Sequence, residues 1–134
     1  MTNVFVCEID EGIGAYYALS TGGVEHNDAP ARITRGVAKH PIPVVILTRF
    51  AVDVGRHRMG LGRAMLRDAL FRVSGAAAEI GVRALLIHAK DDDAKAFYLA
   101  CAEFGESPTD PLHLFLLMKD LRKATQFHTG DRSE

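Results

Sequence analysis

Tryptophan is absent from this sequence, cysteine occurs only twice, and no apolar run is long. Cys7 and Cys101 have no CxxC partner and no histidine at ligand spacing, so both are expected to be reduced core residues. The longest apolar runs, Ile42 to Leu47 and Leu112 to Met118, are far too short to cross a bilayer. The first residues also lack a charged-then-apolar signal pattern. We therefore expect a cytoplasmic protein without a membrane partner.

Metal-binding patterns are missing as well. A zinc site would need histidines at helical i,i+4 spacing or close to cysteines and carboxylates. The six histidines are instead scattered, and no metal site is expected from them: His26, His40, His57, His88, His113 and His128.

What is present fits a single globular domain. The chain has 134 residues, of which 48% are hydrophobic and 25% charged, as in ordinary soluble domains. No internal repeat or low-complexity stretch occurs. We expect residues 1–122 to form one domain and residues 123–134 to form a flexible C-terminal tail.

The charge is unevenly distributed along the chain. The first 30 residues carry five acids and no Lys or Arg, whereas residues 31–72 carry nine bases and two acids, nine minus two or +7. Such a stretch attracts anions, which can be cofactor phosphates, a nucleic-acid backbone or both; a solvated helix face is the plain alternative. The candidate nucleic-acid contacts are Arg32, Arg35, Lys39, Arg49 and Arg56.

Hydrophobic periodicity predicts the order strand, strand, long strand, helix, strand, helix, strand. This order indicates a mixed α/β sheet with a right-handed crossover. The residues between the second and third strands, Thr21 to Lys39, are interpreted as a loop insertion with a short helix near Arg32 to Ala38. The predicted elements are Val4 to Ile9, Gly14 to Ser20, Pro41 to Val52, Arg63 to Ile80, Ala84 to Ala89, Asp91 to Ala102 and Leu112 to Lys119.

A glycine-rich loop precedes the first long helix, in the segment His57 to Ala64 (HRMGLGRA). Glycines at Gly60 and Gly62 let a backbone approach a ligand closely, and the following helix start offers free N–H groups. A sharp connection without a ligand is the alternative. A P-loop is excluded because the Gly-Lys-Ser/Thr ending is missing, and a dinucleotide fingerprint needs a third glycine where Met65 stands.

This loop resembles the acetyl-CoA signature of the GNAT acetyltransferases, Q/R-x-x-G-x-G/A after a central strand. Further segments are similar to the toxin branch of that family and together cover residues 4–122: GAYYALS, PIPVVIL, RFAVD, GLGRAML, VRALLIHAKDDDAKAFY and SPTDPLHLFLLMKDL. The resemblance implies the GNAT fold, shortened at its N-terminus by one strand and two helices.

The resemblance also implies roles for individual residues. Acetyl-CoA is the implied co-substrate, with its pantetheine arm on the backbone of Ala51 and Val52. Its pyrophosphate is held by the loop and helix start, although His57 replaces the family's usual Gln or Arg and Met59 an arginine. The tyrosine of the A-x-x-F-Y motif corresponds to Tyr98, the implied general acid. The loop residues assigned to the cofactor are His57, Arg58, Met59, Gly60, Leu61, Gly62, Arg63 and Ala64.

An amine acceptor with a pKa near 8 or below is partly deprotonated at neutral pH, so water can take its proton. No Asp, Glu or His near the motifs indicates an obligatory base. Phe97 is expected to pack inward, with Tyr98 about 100° away around the helix.

The implied acceptor is aminoacyl-tRNA, whose acetylation blocks translation. The implied partners are a ribbon-helix-helix antitoxin and a second copy of the chain in a homodimer. Two alternatives remain open: an acetyltransferase for a small amine or a protein N-terminus, and a non-catalytic acetyl-CoA-binding or interaction module.

Overall fold

The computed structural model describes residues 2–8, 13–36, 41–52 and 61–123. Within these ranges, six strands form one sheet in the order β1-β2-β3-β4-β6-β5. The strands are β1 (Thr2–Glu8), β2 (Ile13–Val24), β3 (Ile42–Val52), β4 (Ala84–His88), β5 (Gly105–Glu106) and β6 (His113–Leu117). The α-helices are α1 (Ala31–Thr34), α2 (Leu61–Ile80) and α3 (Asp92–Cys101), and residues 118–123 are also helical. The expected mixed α/β sheet is confirmed.

The strands β1, β2 and β3 form an antiparallel meander, and β4 is parallel to β3. The crossover between β3 and β4 is made by α2, as the periodicity predicts. This helix begins at Leu61, two residues before its expected start, and Gly81 follows its last residue with a positive φ of 66°. A glycine in that conformation is a common helix end.

The second strand is longer than expected. Thr21 to Val24 continue β2 and pair with β3 as far as Ile42, so the interpretation of Thr21 as the start of a loop is wrong. Gly22 and Gly23 weaken the strand signal in the sequence, but the neighbouring strand supplies backbone partners for them.

Two apolar cores lie on opposite faces of the sheet. One joins α2 and α3 to the sheet through residues such as Leu66, Leu85 and Tyr98. The other joins the α1 segment to the sheet through Ile33, Leu86 and their neighbours. Because side chains alternate along a strand, adjacent residues of β4 and β6 contribute to different cores.

Polar contacts attach α1 and its flanking residues, from Asp28 to Arg35, to the rest of the domain. Arg83 donates from Nε to the carbonyl oxygen of Ile33 (3.1 Å) and from Nη2 to that of Arg35 (3.3 Å). The buried Ser107 donates its hydroxyl to the carbonyl oxygen of Asp28 (2.6 Å). The helix is shorter than expected and ends at Thr34, while residues 37–40 lie outside the described ranges.

The C-terminal end also differs from the expectation. The last strand ends at Leu117, because residues 118–123 are helical, and Gly105 and Glu106 form a short strand that the sequence pattern does not reveal. Cys101 is a half-buried free thiol, and the side chain of Cys7 lies outside the described part. The expected tail falls almost entirely beyond residue 123. No helix in the described ranges is long and apolar enough to cross a membrane.

Candidate active site

The candidate site is an opening between two parallel strands. Pairing of β3 with β4 stops at Leu47 and Ile87, whereas β3 continues to Val52. A cleft of about 670 Å³ forms where the strands separate. Its lining residues come from β3, from the start of α2 and from the β4–α3 connection: Leu47, Thr48, Arg49, Phe50, Ala51, Gly62, His88, Lys90, Asp91, Asp93, Ala94, Phe97 and Tyr98.

A β-bulge lies at the point where the cleft opens. Ala18 pairs with Arg49 and Leu19 with Leu47, so Thr48 is an extra residue in β3. Its hydroxyl donates to the carbonyl oxygen of Ala18 at 3.3 Å. A bulge shifts the alternation of side chains along a strand. Leu47 and Phe50 therefore both pack against the α2 and α3 core.

The edge of β3 beyond the bulge can accept an extended ligand. Ala51 lines the cleft, and both Ala51 and Val52 pair with β2 on the other side of the strand. Because pairing with β4 has already stopped, this edge presents backbone groups to the opening. The arrangement fits the amide-containing arm of acetyl-CoA.

The start of α2 borders the same cleft through Gly62. The first turn of a helix has N–H groups without intrahelical partners and a positive dipole end, which suits phosphates. Leu61, Arg63 and Ala64 belong to this turn, and the side chains of Arg63 and Ala64 are exposed. The other loop residues predicted to hold the pyrophosphate lie outside the described ranges: His57, Arg58, Met59 and Gly60.

Tyr98 enters the cleft from α3. It is only 5% exposed and makes edge contacts with Phe50, Phe97 and Phe104 at ring separations of 5.9, 5.4 and 6.2 Å. Burial, followed by the nearby Cys101, raises the pKa of Tyr98 to about 12. The hydroxyl therefore keeps its proton at neutral pH.

The expected orientation of the two aromatic residues in α3 is wrong. Phe97 is only partly buried, whereas Tyr98 is the residue within the core, although both line the cleft. Phe50, which the bulge in β3 turns towards α3, contacts both rings, and the Tyr98 ring also packs against the buried Phe104.

The start of α3 is fixed by its own side-chain cap. Asp91 accepts a hydrogen bond from the backbone N–H of Ala94 at 2.8 Å, and Asp92 and Asp93 occupy the first turn. Acidic residues suit the positive end of a helix. The cap stabilises the first turn of the helix that carries Tyr98.

Two histidines meet at the mouth of the cleft. The rings of His88 and His113 are stacked with centroids 4.1 Å apart and an interplanar angle of 15°. Asp110 lies 3.3 Å from the Nε2 atom of His113. Burial, and then the proximity of His113, lowers the pKa of His88 below its usual value.

The candidate nucleic-acid residues are not all brought together. Arg49 lines the cleft and is exposed. Arg32 is exposed on α1 and pairs with Asp120 at 2.9 Å. Neither Arg32 nor Arg35 is among the residues that line the cleft in the described part of the chain. Lys39 and Arg56 fall outside that part.

Several cleft residues have no signal in the sequence. Leu47, Thr48 and Phe50 belong to an apolar strand, and only its bulge reveals that they border the opening. His88 ends a buried strand and Lys90 follows it, a position that is often functional in parallel sheets. Among the described residues no group of His, Cys, Asp or Glu is arranged to hold a metal ion.

Comparison with known proteins identifies the family of this chain. No protein-family model matches the sequence. A tRNA-acetylating toxin of Mycobacterium tuberculosis (strain ATCC 25618 / H37Rv) is 50% identical over 118 residues, which cover 88% of this chain and 70% of the toxin.

Solved structures show the same fold. A tyrosine-to-phenylalanine mutant of KacT has a TM-score of 0.75 at 25% identity, covering 86% of this chain and 69% of KacT. AtaT complexed with acetyl-methionyl-tRNAfMet has a TM-score of 0.81 at 21% identity, covering 91% and 74%. AtaTR has also been solved with acetyl-CoA, and AtaT with the C-terminus of the antitoxin AtaR. By its identity to the mycobacterial toxin and the extent of the match, this chain belongs to the GNAT family of tRNA-acetylating toxins.

Proposed function

We propose that this chain transfers the acetyl group of acetyl-CoA to the amino group of aminoacyl-tRNA and so blocks translation. The observation that carries the proposal is the cleft itself. It combines an unpaired strand edge, a helix start and a buried neutral tyrosine in one opening. The 50% identity to a tRNA-acetylating toxin supports the choice of acceptor.

Bound acetyl-CoA supplies the acetyl group as a thioester. The backbone of Ala51 and Val52 holds the pantetheine arm in this proposal. The pyrophosphate lies on the loop and first turn of α2, from His57 to Ala64, with Gly62 at the wall of the cleft. Backbone N–H groups at a helix start bind phosphate without needing a particular side chain, so Met59 and His57 are compatible with this role.

Tyr98 is the general acid in this mechanism. As the C–S bond of the thioester breaks, its hydroxyl donates a proton to the sulfur. A pKa of about 12 ensures that the proton is present at every physiological pH. Packing against Phe50 and Phe104 limits the positions the ring can take, which favours a constant donor geometry.

Arg49 is the first candidate for contact with the acceptor, because it is exposed at the cleft. Arg32, Arg35, Lys39 and Arg56 extend the basic stretch and would contact the phosphate backbone farther away. Residues 1–122 act as one domain in this proposal, in the cytoplasm and as a homodimer. A ribbon-helix-helix antitoxin is the proposed inhibitor, consistent with the antitoxin complex of AtaT.

The test is acetyl transfer from radiolabelled acetyl-CoA to bulk tRNA charged with one amino acid at a time. Label should enter charged tRNA and not deacylated tRNA. Arg49→Ala should raise the KM for charged tRNA, more strongly at low salt than at high salt, and leave acetyl-CoA affinity unchanged. Lys123→Ala, a basic-to-neutral change outside the cleft wall, is the matched control.

Each alternative function makes a different prediction in the same assay. Label in spermidine or in a peptide N-terminus, with none in charged tRNA, would favour a small-amine or protein acetyltransferase. Acetyl-CoA binding measured by calorimetry without transfer to any amine would favour the non-catalytic module. Light scattering at micromolar concentration tests the homodimer, and a monomer would contradict that part of the proposal.

A further inference from the structure

His88 occupies the end of β4, where this strand separates from β3. Leu85 and Ile87 of the same strand pack in the core with α2, α3 and Tyr98, whereas Leu86 packs on the α1 face. Because side chains alternate along a strand, His88 belongs to the α1 face. His88 and Tyr98 therefore reach the same cleft from opposite faces of the sheet.

A neighbouring strand holds the His88 ring in place. His88 and His113 are directly opposite each other in the β4–β6 ladder, and their rings stack at 4.1 Å. The carboxylate of Asp110 lies 3.3 Å from Nε2 of His113. The proximity of His113 disfavours a positive charge on the His88 ring stacked against it.

Other charged groups line the same cleft as His88. Arg49 lines the cleft from β3, Lys90 follows β4, and Asp91 and Asp93 lie at the start of α3. Burial and His113 lower the pKa of His88, and Asp110 acts in the opposite direction. A neutral imidazole at pH 7 can accept a proton.

We propose that His88 is a catalytic base that takes the proton of the acceptor's ammonium group, with His113 as the residue that positions it. The proposal rests on the proposed acetyl transfer. An N–H bond of the ammonium breaks, and its proton moves to the unprotonated ring nitrogen of His88. The freed lone pair forms the C–N bond, the C–S bond breaks, and Tyr98 donates its proton to the sulfur. After the C–N bond forms, the nitrogen still carries one proton more than an amide, and this proton passes through water to the Tyr98 phenolate. The imidazolium of His88 releases its own proton to solvent, which restores both residues.

The proposal has a specific consequence for the pH dependence. Without a base, the rate follows the fraction of neutral amine, which falls about tenfold per pH unit below an α-amino pKa of about 7.8. With His88 as acceptor, the rate stays constant until His88 itself is protonated, below about pH 6.5. His88→Gln should therefore lose at least about tenfold in kcat at pH 6.5 and less than about threefold at pH 8.5.

The experiment measures kcat from pH 5.5 to 9 with radiolabelled acetyl-CoA and bulk charged tRNA. His26→Gln, a change to a histidine outside the cleft wall, is the matched control and should follow the unmutated chain. His113→Gln removes one cause of the lowered pKa of His88. In this variant the fall of kcat at acid pH should therefore begin at a higher pH than in the unmutated chain. Circular dichroism and acetyl-CoA calorimetry establish that each variant is folded and binds cofactor.

The outcomes distinguish the role of His88 from the proposed function. An active chain whose His88→Gln deficit is equal at pH 6.5 and 8.5 would overturn the role of His88 alone. An unmutated chain that binds acetyl-CoA and transfers nothing to charged tRNA would overturn the proposed function, and the base with it. As a measurement independent of activity, the His88 pKa from NMR should lie below 6.5 in the unmutated chain.

Discussion

Replacing Tyr98 with phenylalanine tests the proposed chemistry most directly. The ring lies in the core against Phe50, Phe97 and Phe104, and phenylalanine can keep these contacts. Only the hydroxyl is lost, so the change removes the proton donor and little of the packing. General acid catalysis contributes about 10²- to 10⁴-fold, or roughly 2.7–5.4 kcal/mol in the activation barrier. We expect kcat to fall by that factor.

The pKa of Tyr98 makes the prediction sharper. At about 12, it lies five units above pH 7, so about one molecule in 10⁵ is ionised. Ionisation of Tyr98 should therefore cause no loss of rate between pH 8 and 10. An unshifted tyrosine would already be half ionised at pH 10.

The assay is single-turnover acetyl transfer to charged tRNA, with acetyl-CoA affinity measured separately by calorimetry. Tyr16→Phe removes a hydroxyl from an exposed tyrosine and is the matched control, with no expected change in rate. Full turnover in Tyr98→Phe would refute the proton-donor role. A loss of acetyl-CoA affinity as large as the loss of rate would instead show that the hydroxyl acts in binding.

Three further outcomes follow from the same structure. Gly62→Asp places bulk and negative charge at the start of α2, so acetyl-CoA affinity measured by calorimetry should fall at least about tenfold. Unchanged affinity in a folded variant would contradict pyrophosphate binding at this helix start. The Leu66 side chain is only 1% exposed and lies between α2 and the sheet. Leu66→Ala should therefore lower the free energy of unfolding, measured in urea, by about 2–5 kcal/mol. For Leu99→Ala, at an exposed side chain, we expect a decrease of about 0.5 kcal/mol or less. The free energy of unfolding should also fall as pH rises from 10 to about 12, because Tyr98 ionises near 10 in the unfolded chain and near 12 in the folded one. Urea titrations at pH 9 and 11 should show this loss of stability. The loss should be smaller in Tyr98→Phe.

The strongly patterned segments could be predicted from the sequence. The apolar β-branched run Ile42–Val52 forms β3, and the three- and four-residue spacing after Arg63 forms α2, which ends before Gly81. In such segments local preference and burial favour the same structure. The family and its acetyl transfer activity also followed from motifs in the sequence, and the 50% identical toxin confirms the family.

The sequence-based predictions of secondary structure were wrong where pairing with a neighbouring strand decides the conformation. Thr21 to Val24 contain two glycines and read as a loop, but β3 supplies the hydrogen bonds that extend β2. Gly105 and Glu106 carry no strand signal and become β5 by pairing with β6. Phe97 and Tyr98 are adjacent in the chain, and only the packing of α3 on the sheet determined which of them is buried.

The sequence by itself determined the order of the main elements, the glycine-rich helix start and the tyrosine of AKAFY, because these depend on local spacing. Only the tertiary structure determined the cleft, since its walls come from strands that pair at Leu47 and Ile87 and then separate. It also stacked His88 on His113. The register between β4 and β6 sets that contact, and register depends on how the whole sheet packs its two apolar faces.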